Sequence, residues 1–146
     1  MQRHGQGTNI FPNGDMFEGN YEGGHRQGQG TYKWKATKAR YVGQYVENLR
    51  EGQGTFYYPD GARYVGNFVQ GKRQGQGIYY YINGDVFDGT WENDQKHGPG
   101  TYFYANIEVR VSTQIYFSRV YSSRKWVNGR MESFKARVKS CIRMQR

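Results

Sequence analysis

The sequence predicts an all-β fold: a single-layer antiparallel meander of stacked β-hairpins over residues 1–104, with an irregular basic tail over 105–146. The first ground is a beat of glycines. Gly5-Gln6-Gly7 returns as Gly28-Gln29-Gly30, Gly52-Gln53-Gly54, Gly75-Gln76-Gly77 and Gly98-Pro99-Gly100, at steps of 23, 24, 23 and 23 residues. A fixed period in this range marks a repeat array, and an array presents one extended surface instead of enclosing a central pocket. The second ground is alternation, because aromatics and glycines share every second position around these elements. The third is composition. Residues 1–104 hold 20 of the 25 aromatics and 20 of the 21 glycines, while the whole chain is only 36% hydrophobic with a mean hydropathy of −0.99. That composition suits short strands and turns and excludes a thick aliphatic core.

Residues 41–63 are the clearest copy. Tyr41, Gly43 and Tyr45 alternate with Val42, Gln44 and Val46, so on a strand they line one face. Glu47 to Glu51 is polar and reads as a loop. Gly52, Gly54, Phe56 and Tyr58 then line one face of a second strand. Pro59-Asp60-Gly61 closes the unit as a hairpin signal, since both residues of Asp-Gly tolerate positive φ. First strands recur as Phe17/Gly19/Tyr21, Tyr64/Gly66/Phe68 and Phe87/Gly89/Trp91. Second strands recur as Gly28/Gly30/Tyr32/Trp34, Gly75/Gly77/Tyr79/Tyr81 and Gly98/Gly100/Tyr102/Tyr104, with Gly5 and Gly7 opening a partial copy. A bare glycine leaves a hole on the pleated surface, and a neighbouring ring can lie across it. The opposite face is more polar (Glu18, Asn20, Gln44, Asn67, Thr90), apart from Tyr57, Tyr80 and Phe103. Those three are either cross-strand packing or a stripe turned toward a partner. Lys35 to Arg40 replaces the glycine turn and supplies the 24-residue step, which predicts a longer basic connection with the register kept.

The net charge of +9 is unevenly placed. Residues 1–104 carry 11 Lys/Arg against 10 Asp/Glu, and residues 105–146 carry 10 against 2. Only the tail is an electrostatic patch suited to nucleic acid, anionic lipid or an acidic protein. Its plain reading is a solvated segment, and nucleic acid is not expected as a partner. Lys125-Trp126-Val127-Asn128-Gly129-Arg130 resembles the middle of a repeat, yet Trp126 lies 35 residues after Trp91 and Ser133 stands where a glycine is due. An insertion or an altered reading frame inside a sixth repeat accounts for that spacing, and residues 133–146 read as a short basic helix. The chain opens part-way through a repeat, which is the expectation for a fragment. A single cysteine, Cys141, fits a reducing compartment. With no amino-terminal apolar segment and no run of the ~18 apolar residues a membrane helix needs, the expectation is a soluble intracellular protein.

No catalytic constellation emerges, and neither an enzyme, a cofactor nor a metal is expected. Gly52-Gln53-Gly54 is followed by aromatics, without the third glycine or the helix of a phosphate loop. His4 and His97 share a repeat position four repeats apart, and His25 stands alone. Ser122-Ser123 and Cys141 have no partner base that sequence can identify.

Tyr-x-Gly-x-Tyr, a polar stretch, Gly-x-Gly-x-Tyr-x-Tyr and a glycine turn together resemble the MORN repeat, over about residues 3–104. Pro12-Asn13-Gly14-Asp15, Ala39-Arg40-Tyr41-Val42-Gly43, Gly54-Thr55-Phe56-Tyr57-Tyr58-Pro59-Asp60-Gly61 and Tyr79-Tyr80-Tyr81-Ile82-Asn83-Gly84-Asp85 extend the likeness to MORN subunits of the axonemal radial spoke head. The resemblance implies a non-enzymatic structural subunit in the cytoplasm of motile cilia or flagella. Its partners would be other spoke-head subunits, at the surface facing the central-pair apparatus. The usual acidic extension is replaced here by a basic tail. The alternative the family suggests is a peripheral module that tethers to phosphoinositide membranes. A targeting module beside an enzyme domain is a weaker third option.

Overall fold

The computed structural model describes residues 2–105, together with the backbones of residues 123–127 and 130–133. These residues form one open antiparallel sheet whose strand order follows chain order from end to end. The strands are β1 (Gly5–Ile10), β2 (Met16–Glu22), β3 (His25–Lys33), β4 (Arg40–Val46), β5 (Leu49–Tyr57) and β6 (Arg63–Val69). They continue as β7 (Lys72–Tyr80), β8 (Val86–Glu92), β9 (Gln95–Phe103), β10 (Ser123–Val127) and β11 (Arg130–Ser133). The all-β hairpin meander read from the sequence is therefore the fold.

Two kinds of turn alternate. Gly23-Gly24, Glu47-Asn48, Gln70-Gly71 and Asn93-Asp94 are two-residue turns with positive φ at both positions. That geometry is type I′, whose twist matches the strands it joins. The polar loop expected over Glu47–Glu51 is accordingly only two residues long, and β5 starts already at Leu49. The Asp60-Gly61 turn differs as well. Only Gly61 takes positive φ, at 93°, while Tyr58 N–H donates to Ala62 O at 2.9 Å. Pro59 fixes its own φ near that of a type I turn, so the glycine moves to the third turn position. At the irregular connection Trp34 N–H donates to Ala39 O at 3.0 Å and Lys38, at φ 65°, takes the left-handed place. One additional turn residue thus accounts for the 24-residue step without disturbing the register.

The glycines of the array meet in one row across the sheet. Gly7, Gly19, Gly30, Gly43, Gly54, Gly66, Gly77, Gly89 and Gly100 are consecutive cross-strand partners from β1 to β9. On β10 the next position is Trp126, opposite Gly100. The tail segments read as a repeat fragment therefore extend the sheet by a hairpin, Trp126 pairing with Met131. The basic helix expected over 133–146 falls outside the described residues beyond Ser133.

Rings from β2, β4, β6 and β8 cover the glycine row. Phe17, Tyr41 and Tyr64 are 0% exposed and Phe87 is 3% exposed, so the core is a layer of aromatics on one face of the sheet. A Cβ on Gly54 would lie 2.6 Å from Tyr41 Cε2, and one on Gly66 would lie 2.6 Å from Gly77 Cα. The rings form an unbroken edge-to-face chain, Tyr21–Phe17–Tyr45–Tyr41–Phe68–Tyr64–Trp91–Phe87, with centroids 5.0 to 5.7 Å apart. Each such pair adds about 0.5–1.5 kcal/mol beyond area burial. A second chain, Phe11–Tyr32–Trp34–Phe56–Tyr58–Tyr79–Tyr81–Tyr102–Tyr104, runs beside it with centroids 4.5 to 5.6 Å apart.

Candidate interaction surface

The two faces of this sheet offer different chemistry, and the aromatic face is closed first. One cation per repeat lies over its rings. Arg26 stacks near Phe17, Tyr32 and Tyr45, Arg50 near Tyr41, Phe56 and Phe68, and Arg73 near Tyr64 and Trp91. Lys96 holds the same place over Tyr81, Phe87 and Tyr102, and Arg3 reaches Tyr21. Each arginine also locks the next hairpin tip. Arg26 Nη2 donates to Asn48 O at 2.8 Å, Arg50 Nη2 donates to Gly71 O, and Arg73 binds the Asp94 carboxylate at 3.1 Å. The neighbouring side chains Gln27, Glu51 and Gln74 accept from the amides of Glu47, Gln70 and Asn93. The strained left-handed residues at the tips are thus held by the repeat before them. By sequence Arg50 falls in the polar stretch that reads as a loop, although a basic residue stands two positions before the first glycine in all five copies.

The paired glycines do separate work. Gly54 and its equivalents lie beneath rings, whereas Gly52 has φ +64° and its Cβ direction points at Gln44 Oε1, 2.8 Å away on the other face. Gly52 and Gly54 therefore do not line one face. The strand register shifts between Gly43 and Tyr45 opposite them, and this bulge turns Arg50 onto the rings. Gly28, Gly75 and Gly98 share the positive φ, at 71°, 74° and 73°. Gly5, at φ 81°, and Gly7 have open space where a side chain would stand.

Two buried aspartates fasten the outer repeats at their opposite end. Asp15 accepts from the Lys35 amide, Tyr32 Oη and Asn13 Nδ2, each at 2.9 Å. The Lys35 amide is the main reason its carboxyl sits below the usual range, against the opposing effect of burial. Asp85 repeats the arrangement with Ala105, Tyr102 and Asn83. There burial pushes upward and those three donors outweigh it, so its carboxyl is again held low. Tyr32 is pushed up to about 12, by burial and then by its bond to Asp15. Burial likewise carries the Tyr41 and Tyr64 hydroxyls to about 12.

The outer face is built in rows that cross the strands. Lys33, Arg40, Tyr57, Arg63, Tyr80, Val86 and Phe103 are successive partners in one row. Thr31, Val42, Thr55, Val65 and Ile78 form the next. Tyr57 and Tyr80 are half-buried, with Arg40 and Arg63 over them at 4.2 and 4.1 Å from the ring centres. Phe103 lies opposite Val86 on one side and Ser123 on the other. A shallow groove of about 490 Å³ runs over the backbone of Gly7, Gly19 and Gly30, between Gln6 and Gln29 on one bank and Thr8, Glu18, Thr31 and Val42 on the other. Among the described residues no cluster of three or more His, Cys, Asp or Glu is placed to hold a metal. His97 pairs with Glu92 at 3.3 Å, while His4 and His25 stand exposed in other repeats.

Comparison with known proteins agrees with this architecture. No curated protein gives a significant match. The MORN repeat, a binding module for protein or membrane-lipid contacts that is not known as an enzyme, matches residues 2–16, 17–36, 41–63, 64–86 and 87–106. The third, fourth and fifth segments each begin at the aromatic of a first strand, Tyr41, Tyr64 and Phe87, and run through the following hairpin. With these segments spanning well over half its length, the chain belongs to the MORN-repeat family.

Proposed function

We propose that this chain is a structural scaffold subunit of the radial spoke head in motile cilia and flagella. It makes protein–protein contacts through its array, with other spoke-head subunits as partners at the surface facing the central-pair apparatus. The observation that carries the scaffold reading is the asymmetry of the sheet. One face is consumed by ring packing and capped by cations, while the other keeps Val42 and Val65 each 37% exposed beside stacked arginines. An extended, half-apolar surface of this kind suits a partner. The assignment to the spoke head is supported by the likeness of residues 39–43, 54–61 and 79–85 to spoke-head MORN subunits.

Detergent extraction of ciliated cells expressing the tagged chain tests it. Retention with the axoneme, lost on deleting residues 1–104 and kept on deleting 105–146, is the expected result. Release with the membrane fraction would remove the spoke-head reading and favour lipid tethering.

A further inference from the structure

We infer that the outer face between β3 and β7 is a docking surface for an acidic amphipathic helix of a partner protein. This deepens the scaffold reading by naming the partner's chemistry, and it is independent of which assembly the scaffold serves. The ground is charge segregation. Across these five strands the two outer rows nearest the Asp60-Gly61 turn carry Lys33, Arg40 and Arg63 and no carboxylate. Carboxylates reappear on that level only at the flanks, with Glu18 on β2 and Asp88 on β8. Glu51, at the other end of β5, is engaged by the Gln70 amide.

Lys33 and Arg40 are direct cross-strand partners. Like charges placed so are unfavourable on their own, and a carboxylate between them reverses the sign. Arg40 and Arg63 are held over the rings of Tyr57 and Tyr80, which restrains each guanidinium before a partner arrives. Among the described residues neither has a carboxylate within salt-bridge distance.

Spacing selects a helix. Arg40 and Arg63 are two strands apart, as are Val42 and Val65, which is about 9.6 Å. Side chains seven residues apart on a helix rise about 10.5 Å, whereas alternate side chains on an extended chain are only about 6.8 Å apart. A helix laid across the strands therefore presents glutamates to Arg40 and Arg63 and leucines to Val42 and Val65. Four strand spacings, about 19 Å, correspond to about 13 helical residues.

The test uses the full chain and a fluorescent 18-residue helical peptide with a leucine stripe and glutamates seven residues apart. Binding is read by anisotropy, beside the same peptide carrying lysines and beside vesicles containing phosphatidylserine. The expected result is saturable binding of the acidic peptide alone. Arg40→Glu with Arg63→Glu should weaken it at least tenfold while the melting curve stays cooperative. Val65→Asp, an independent outer-face variant, should weaken it too. Failure of the acidic peptide to bind, equal binding of the lysine peptide, or unchanged affinity in the double variant would overturn the inference. So would vesicle binding lost in the double variant without peptide binding, which would assign the face to lipid. Axonemal retention with no binding of the acidic peptide keeps the spoke-head proposal and removes this surface. Peptide binding without retention does the reverse.

Discussion

The same strands build two faces by opposite rules. On the inner face from β2 to β9, rings sit over glycines, and Arg26, Arg50 and Arg73 each bridge to the next hairpin. On the outer face the rows are shallow, and arginines lie on tyrosines with no carboxylate partner among the described residues. The difference shows how a one-layer sheet remains folded without a second layer. Edge-to-face rings cover the backbone on one side, and that leaves the other side available to a partner. Alternate residues of the same strand thus serve different ends, Tyr41 the packed face and Val42 the face proposed to bind.

The sharpest way to break the comparison is to place a side chain on the glycine row. Gly54→Val puts atoms where the Tyr41 ring lies, and Gly77→Val does the same beneath Tyr64. Neither ring can retreat, because each is wedged edge-to-face against its neighbours. The expected loss is about 3 kcal/mol or more, the upper end for an overpacked core. Urea melts check it, and a midpoint equal to wild type would refute the interlocking picture. Lys72→Ala, an exposed position at the start of β7, should leave the midpoint in place.

The second contrast compares arginines that stack on opposite faces. Arg50→Ala removes stacking on three rings and the bond to the Gly71 carbonyl. A charged hydrogen bond contributes ~1.5–3 kcal/mol net, so a loss of about 2 kcal/mol is expected. Arg40→Ala removes only one exposed stack, worth about 0.5–1 kcal/mol. Equal losses from the two substitutions would erase the distinction drawn between the faces. Replacing Arg50 by Lys sharpens it further, since an ammonium keeps the charge but not the planar fork.

The fold was legible in the sequence because its signals are short-ranged. Period-two alternation of Tyr41, Gly43 and Tyr45 and the regular return of Gly-x-Gly dictate strands, hairpins and the face on which the rings collect. The turns were less legible. Glu47-Asn48 is a poor type I′ signal by composition, and its positive φ values depend on distant acceptors in the preceding repeat, at Gln27 and Arg26. The cation row escaped for a similar reason. Arg26, Arg50 and Arg73 sit among polar residues that read as loop, and only the bulge at the first glycine turns them onto the rings. The outer surface depends on register, which alone places Lys33 against Arg40.

The two roles of the paired glycines can be separated in turn. Gly52 needs its left-handed φ of +64° but meets only the Gln44 side chain, whereas Gly54 needs empty space. Asparagine tolerates the left-handed region better than other residues with a Cβ. Gly52→Ala should therefore cost about 1 kcal/mol and Gly52→Asn less. Gly54→Asn should be far worse than either. If Gly52→Asn and Gly54→Asn gave the same urea midpoint, the two glycines would share one role and the bulge would lose its explanation.

The smallest effect concerns the aspartates that fasten the outer repeats, and it appears only in acid. Asp15 and Asp85 are both held below the ordinary carboxylate value in the folded chain. Each therefore stabilises the fold above the unfolded value of about 4, and that contribution disappears as pH falls through the lower folded value. Ala39 and Ala62 occupy the corresponding buried positions of the middle repeats and do not titrate. Acid should thus loosen the outer repeats before the central ones. The double variant Asp15→Asn, Asp85→Asn should be less stable than wild type near pH 7 and should lose less between pH 5 and pH 2. Urea midpoints across that range measure the difference. An acid loss as steep in the variant as in wild type would place the titrating groups elsewhere and leave these aspartates with a purely geometric role.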